Sequence, residues 1–221
     1  SRNIPAVKML YLVGINNAIK TARDAGITSL EGAARYGLTL VIGGAEVSLL
    51  DMTSGYSVFA NAGVRNPATG IISVQNQKGD ILESYTSHAS QVLDKNASLM
   101  LSDVLSDNTA RIPTFGANSA LNFPGYQVAA KTGTTNDNKD AWIMGYTPNI
   151  AVGVWAGNND NTPMKKGGSA LAGPILHRFL VDVLPTLPKE PFEKYIPYPV
   201  DYSVPAIVRG LWQGGTSVVI D

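Results

Sequence analysis

Tyr126-Gln127-Val128-Ala129-Ala130-Lys131-Thr132-Gly133-Thr134-Thr135 decides the reading of this chain, together with Asp140-Ala141-Trp142-Ile143-Met144-Gly145-Tyr146 just beyond it. The first stretch carries an apolar approach, and the spacing predicts a strand over Tyr126–Thr132. Further strands are expected at Ala141–Tyr146 and Ile150–Ala156. The short link Thr147-Pro148-Asn149 makes the last two antiparallel neighbours. A lysine, two hydroxyls and a glycine at a strand edge can bind a carboxylate and let a peptide backbone approach closely.

Working outward, Pro5 to Val13 reads as a helix with Pro5 in its first turn and Gly14 after its end. Ile15 to Ala25 reads as a second, with Ile15, Ala18, Ile19 and Ala22 on one face. Ser48 begins a capping-box-like start, and Leu49, Met52, Tyr56 and Phe59 recur at helical spacing until Gly63. Gly70 to Glu83 looks like a hairpin turning at Lys78-Gly79-Asp80. Asp94 caps a helix to Leu105, with Leu101, Val104 and Leu105 expected inward. Residues 108–124 read as loop, and Pro174 opens a last helix to about Val183. Helices on both sides of antiparallel strands predict an α/β chain of the α+β type, a sheet flanked by helices. Residues 1–185 are taken as one domain. Residues 186–221, rich in prolines and aromatics, are expected to be a tail or the start of another module.

Bulk properties narrow the function. The 221 residues carry 17 basic and 17 acidic side chains, so no basic surface points to nucleic acid. There is no cysteine, which excludes disulfides and thiolate metal sites. No apolar run reaches the length of a membrane span, and no signal peptide is visible. The chain opens abruptly on a motif, which reads as a processed piece or fragment.

That motif is Ser1-Arg2-Asn3, followed by Ile4-Pro5-Ala6-Val7. With Lys131-Thr132-Gly133 it resembles two parts of the three-part signature Ser-x-x-Lys, Ser-x-Asn, Lys-Thr-Gly. More blocks follow in order: Glu46-Val47-Ser48-Leu49-Leu50, Tyr56-Ser57-Val58-Phe59-Ala60-Asn61-Ala62-Gly63, Asp140-Ala141-Trp142, Gly145-Tyr146-Thr147-Pro148. Val152-Gly153-Val154-Trp155-Ala156-Gly157-Asn158, Asp160-Asn161-Thr162-Pro163-Met164 and Ala172-Gly173-Pro174-Ile175 complete the set. From residue 1 to about 185, the chain resembles the transpeptidase domain of class A, bifunctional penicillin-binding proteins. The order of the blocks makes the match specific, rather than any single tripeptide.

The resemblance implies a penicillin-binding protein/serine β-lactamase-like fold and acyl transfer from peptidoglycan stem peptides ending in D-Ala-D-Ala. β-Lactam antibiotics would acylate the same serine. It implies that Ser1 relays a proton to the leaving amine and that Asn3 hydrogen-bonds the base lysine and the substrate amide. Lys131 would keep the site positive and support the Ser1 hydroxyl. Thr132 and Thr134 would hold the substrate carboxylate, beside Gly133. The Thr134 backbone N–H would form half of an oxyanion hole. No metal or cofactor is implied. A membrane anchor and a glycosyltransferase domain would lie upstream, with this domain outside the cytoplasmic membrane and other cell-wall synthesis proteins as partners.

The nucleophile of that signature is missing: no lysine in the chain stands three residues after a serine. The family order places it before Ser1. No Gly-x-Ser-x-Gly elbow offers a substitute. The chain alone is therefore expected to be inactive and loosely packed around the site. Two other functions stay open, a β-lactamase or D,D-carboxypeptidase on the same fold and a non-catalytic binder of wall peptides or β-lactams. The Glu-x-x-x-Asn of class A β-lactamases is absent, since Arg35, Leu50 and Ser87 follow Glu31, Glu46 and Glu83 at that spacing. Ser106-Asp107-Asn108 is a second Ser-x-Asn, read as a helix end with polar turn residues. Trp142, Trp155 and Tyr146 are expected to pack the core. Asn158, Asp160 and Asn161 are expected to form a polar loop and Gly167-Gly168-Ser169 a flexible connection. His177 is expected to be packed, and His88 is uninformative.

Overall fold

The computed structural model describes residues 2–203. Ser1 and everything after Ser203 lie outside the described residues. Helices α1 (Asn3–Val13) and α2 (Ile15–Asp24) open the chain, followed by the short α3 (Ala33–Tyr36), a 3-10 turn over Gly37–Ile42 and α4 (Leu49–Ala60). Short strands β1 (Val64–Arg65), β2 (Ser73–Gln75), β3 (Ile81–Ser84) and β4 (Ser90–Gln91) form two small antiparallel pairs, β1 with β4 and β2 with β3. Helices α5 (Lys95–Ser106) and α6 (Asn108–Phe115) lead to β5 (Ala129–Thr134), β6 (Asp140–Thr147) and β7 (Ile150–Gly157). Helix α7 (Gly168–Val183) follows, and a strap, residues 187–203, runs on from it.

The three long strands form one antiparallel sheet in the order β5-β6-β7. Ala129 lies opposite Tyr146, Thr134 opposite Ala141, and Trp142 opposite Trp155. Opposed residues share a face. Ala130, Thr132, Ile143, Val152 and Val154 therefore lie on one face, and it packs on Leu176 and Leu180 of α7. Gly145 sits under that helix, where a Cβ would come within 2.8 Å of Leu176. The opposite face carries Ala129, Lys131, Gly133, Met144, Tyr146 and both tryptophans. Its Ala129–Tyr146 end is covered by Tyr56 and Phe59 of α4, Leu105 of α5, and Phe192. Within this layer the Tyr146 hydroxyl bonds Ser102 at 3.1 Å, and burial pushes Tyr146 up to about 12. The N-terminal helices build their own small core of Ile19, Leu30 and Tyr36, joined by Ile15 and Ala22 as the α2 periodicity predicts.

Several expectations change. Residues 108–115 are helical because the Asp107 carboxylate accepts the Ala110 N–H at 2.9 Å and caps the turn. Arg111 then ties α6 to the carbonyls of Leu105 and Leu121. Pro113 sits inside this short helix. Ser106-Asp107-Asn108 is accordingly the end of one helix and the cap of the next. Val104 faces solvent, while Leu105 packs inward as expected; the buried positions of α5 are Ser98, Leu99 and Ser102, and Ser102 bonds the Tyr146 hydroxyl. Strand β5 begins at Ala129, because Tyr126 N–H is held in a turn by the Phe123 carbonyl and Gly125 takes φ +83°. Helix α7 begins at Gly168, and Pro174 lies within it. The hairpin holds as predicted, with the Asn76 side chain accepting the N–H groups of Lys78 and Asp80.

The strap is bound along the sheet end and α5. Phe192 is 7% exposed, and its ring meets Tyr146 edge-on at 5.6 Å. Its N–H donates to Gln127, and the Asn149 side chain donates to Pro188 O. Asn96 exchanges two bonds of 2.7 Å with the backbone of Ile196, and Tyr198 donates to Asp94. Lys95 pairs with Glu193 at 2.8 Å. Prolines limit the unfolded states of such a segment, so fewer contacts suffice to order it.

The described strap thus contributes to the core through one aromatic. Phe192→Ala is expected to lower unfolding free energy by about 3–5 kcal/mol, the range for a buried aromatic. Urea denaturation of the chain measures it, and a loss under about 1 kcal/mol would mean the ring is not anchored.

Candidate active site

Among the described residues, strand β5 has a partner on one side only. Thr135 N–H donates to Asp140 O at 3.2 Å, continuing the β5–β6 register. In an antiparallel ladder the groups alternate, so Gly133 and Lys131 also turn their backbone toward β6. Thr132 and Thr134 then present C=O and N–H to the open edge. A peptide laid along this edge would find the Thr132 carbonyl and the Thr134 N–H.

Lys131 lies on the same face as Gly133 and as Met144, which is buried against Thr53 of α4. Its Nζ donates to the Thr132 carbonyl at 2.6 Å. Among the described residues no carboxylate pairs with it. The side chain is half-buried, and desolvation pulls its pKa below the ordinary lysine value. A half-buried cation with no anion is an electrostatic cost that a bound carboxylate would remove.

Thr134 points to the α7 face, and its Oγ1 accepts the Gly168 N–H at 2.9 Å. A hydroxyl has two lone pairs and one proton, so the proton stays free for an anion. Gly167 and Gly168 are therefore a tight junction and not a flexible connection. A Cβ on Gly168 would fall 2.3 Å from Gly133 O, so only glycine lets the helix start here. On Gly133 itself a Cβ would press on Trp142 at 3.2 Å. The bare edge beside the substrate path and the neighbouring tryptophan both favour glycine.

The structure brings Lys131, Thr132, Gly133 and Thr134 together on one strand. Asn3 is the first residue of α1, exposed, and α1 packs against α2 and the 37–42 turn. No hydrogen bond joins Asn3 to β5 among the described residues. Ser1 lies outside them. Of the three aromatics, Tyr146 is fully buried, as expected. Trp142 and Trp155 instead pair with each other at 6.5 Å on the thinly covered end of the sheet, with Trp155 37% exposed. His177 is packed, stacked on Phe123 and bonded to Ala120 O. Asp160 accepts the N–H and hydroxyl of Thr162, and Asn158 donates to Thr162, which makes this a polar turn.

One arrangement escaped the sequence. The Asp140 carboxylate accepts the Thr135 hydroxyl and the Trp155 indole N–H, each at 2.9 Å. The signal was present: the two-residue link Pro148-Asn149 between β6 and β7 fixes a register that sets Trp155 diagonal to Asp140.

A family model described as the penicillin binding protein transpeptidase domain matches residues 13–181. Penicillin-binding protein 1A of Aquifex aeolicus is 33% identical over 199 residues, 87% of this chain and 26% of that protein. Penicillin-binding protein 1A/1B of Bacillus subtilis is 32% identical over 200 residues, 83% of this chain and 21% of that protein. The chain thus spans about a quarter of the length of the curated relatives it matches. Among solved structures, PonA1 of Mycobacterium tuberculosis in complex with penicillin V superposes with a TM-score of 0.74 at 24% identity, covering 86% of this chain and 56% of that one. Penicillin-binding protein 1A of Haemophilus influenzae does so with a TM-score of 0.71 at 19% identity, covering 87% and 34%. These two likenesses show the mixed helix and antiparallel-sheet fold. The family model, which matches residues 13–181, establishes that the chain belongs to the penicillin-binding protein transpeptidase family.

Proposed function

We propose that this chain supplies the substrate-binding strand of a serine D,D-transpeptidase that crosslinks peptidoglycan outside the cytoplasmic membrane. The observation that carries this reading is the half-buried Lys131, with no carboxylate partner among the described residues, beside an open strand edge. A donor stem peptide ending in D-Ala-D-Ala would lie along β5. Its terminal carboxylate would meet the hydroxyls of Thr132 and Thr134 in the field of Lys131. The nucleophile would be a serine one helical turn before a base lysine, in a Ser-x-x-Lys segment preceding Ser1.

In this scheme the serine oxygen attacks the carbonyl of the penultimate D-Ala as its proton passes to the base lysine. The oxygen that gains charge is held by the Thr134 N–H and by the N–H of the nucleophile. A preorganised donor of this kind lowers the barrier by about 3–4 kcal/mol. The C–N bond to the last D-Ala then breaks, and Ser1 passes a proton to the departing amine, with Asn3 orienting the base. The amine of a second stem peptide attacks the ester, forms the new peptide bond and releases the serine. A β-lactam places its ring carboxylate and strained amide in the same positions and stops at the ester.

Intact-mass analysis after exposure to benzylpenicillin tests this. An adduct is expected on a protein extended upstream through a Ser-x-x-Lys segment and not on the present chain. An adduct on the present chain would place the nucleophile inside it. No adduct on either folded form would favour a non-catalytic binder.

Lys131 gives a second prediction. In the extended protein, Lys131→Met is expected to slow penicillin acylation by about 10²-fold or more. The same change is expected to stabilise the fold at neutral pH by removing a desolvated charge. The native lysine loses its proton at a lower pH than the unfolded one, so wild-type stability rises as pH climbs toward the ordinary lysine range. The advantage of the Met variant should therefore shrink at high pH. Urea midpoints between pH 7 and pH 10 measure this (a range set by ordinary lysine titration). A gain that grows with pH would contradict it.

A further inference from the structure

The turn after Thr134 is held by more than its ladder bond. Thr135 N–H donates to Asp140 O at 3.2 Å, and Asp140 N–H donates back to the Thr135 hydroxyl oxygen at 2.7 Å. The same hydroxyl donates to one oxygen of the Asp140 carboxylate at 2.9 Å. The other oxygen accepts the Trp155 indole N–H at 2.9 Å. One carboxylate therefore joins the residue directly after Thr134, the first residue of β6 and a side chain of β7.

This clasp encloses a turn that needs restraint. Asp137 and Asn138 both adopt left-handed backbone, φ +59° and +54°, which non-glycine residues take at a cost. Trp155 also packs on Trp142, which lies opposite Gly133 in the register. Movement of the indole is thus opposed by the strand that backs the Lys-Thr-Gly segment. Neither Asp140 nor Trp155 reaches the open edge of β5, so neither can touch a substrate lying there.

We propose that Asp140, through Thr135 and Trp155, is a positioning residue that fixes the direction of the Thr134 N–H for the developing oxyanion. The proposal rests on the functional reading above and extends it to side chains behind the strand. An oxyanion donor acts only if aimed before the reaction, and a displacement of about 1 Å can cost 10²-fold in rate. The Thr134 N–H lies at the last residue of an edge strand, where pairing on one side alone leaves its direction loosely set. The carboxylate supplies the missing restraint from the following residue.

The test uses the full-length protein that carries this chain and follows acylation by a fluorescent penicillin over a concentration series. That separates the non-covalent dissociation constant K from the acylation rate constant k2. Asp140→Asn, Trp155→Phe and Thr135→Val are each expected to lower k2 by roughly tenfold to a hundredfold. K should stay within about threefold, because the carboxylate-binding groups Lys131 and Thr132 are not touched. Thr135→Ser keeps the hydroxyl and should recover most of the rate. Should Asp140→Asn fail to fold, Trp155→Phe still removes one bond while leaving an aromatic ring against Trp142. Melting temperatures close to wild type, with k2 alone reduced, support the clasp. Rates within twofold of wild type, a parallel loss in k2 and K, or no recovery in Thr135→Ser overturns it. If the wild-type protein itself is not acylated, the transpeptidase reading falls and takes this proposal with it.

Discussion

Among the described residues, strand β5 is hydrogen-bonded along one edge and bare along the other. An edge strand of this kind exposes donors and acceptors that invite any extended chain to pair. Proteins usually blunt such edges. Here the bare edge is also where a peptide would have to lie, so it must stay open and still keep its shape. The rest of the sheet is arranged around that conflict. Restraint comes from the two faces and the two ends, and none comes from a further strand.

On one face, α7 presses against Ala130 and Ile143, and its first N–H is taken by Thr134. At the far end, roughly 17 Å away along the strand, Phe192 and Gln127 hold the Ala129 region to the strap. At the near end the Thr135–Asp140–Trp155 bonds close the turn. The remaining face is covered from its Tyr146 end to Met144, where Thr53 of α4 lies against it, and is thin over the two tryptophans. Lys131, opposite Met144, is partly desolvated by that cover, and among the described residues no carboxylate pairs with it. Pairing Lys131 with a protein carboxylate would relieve its desolvation, but it would also cancel the field that attracts a substrate carboxylate. Here the fold and the binding site want opposite things from one residue.

Much of this was legible in the sequence. The β6–β7 hairpin followed from two apolar runs and a short link, and α2 from the spacing of Ile15, Ile19 and Ala22. The Lys-Thr-Gly strand stood out because its hydroxyls and lysine interrupt an apolar strand. What was illegible depended on tertiary partners. Residues 108–115 read as loop in the sequence, and the helix there depends on the Asp107 cap and on Arg111 reaching the carbonyls of Leu105 and Leu121. Val104 has the residue type of a core position, but Ser98 and Ser102 are the buried residues, and the Ser102 hydroxyl meets that of Tyr146. Trp142 and Trp155 have core composition too, and only the register shows that they sit beyond the helices that cover the sheet. The strap carries prolines and aromatics, a composition that suits a linker, and Phe192 changes its meaning once Tyr146 is placed beneath it.

Asp140 shows why such residues elude composition. Its neighbours in sequence are Lys139 and Ala141, and neither tells what the carboxylate does. Its partners lie five residues before it and fifteen after it, and they converge only when three strands adopt one register. A one-residue slip of β7 would turn Trp155 to the α7 face, remove the indole N–H from the carboxylate and put an apolar residue in its place. The hydrogen bonds at Asp140 therefore depend on a register that the α7 core independently fixes through Val152 and Val154. Burial on one face of the sheet thus sets polar geometry on the other, and that geometry sits one residue from the edge where a peptide would bind.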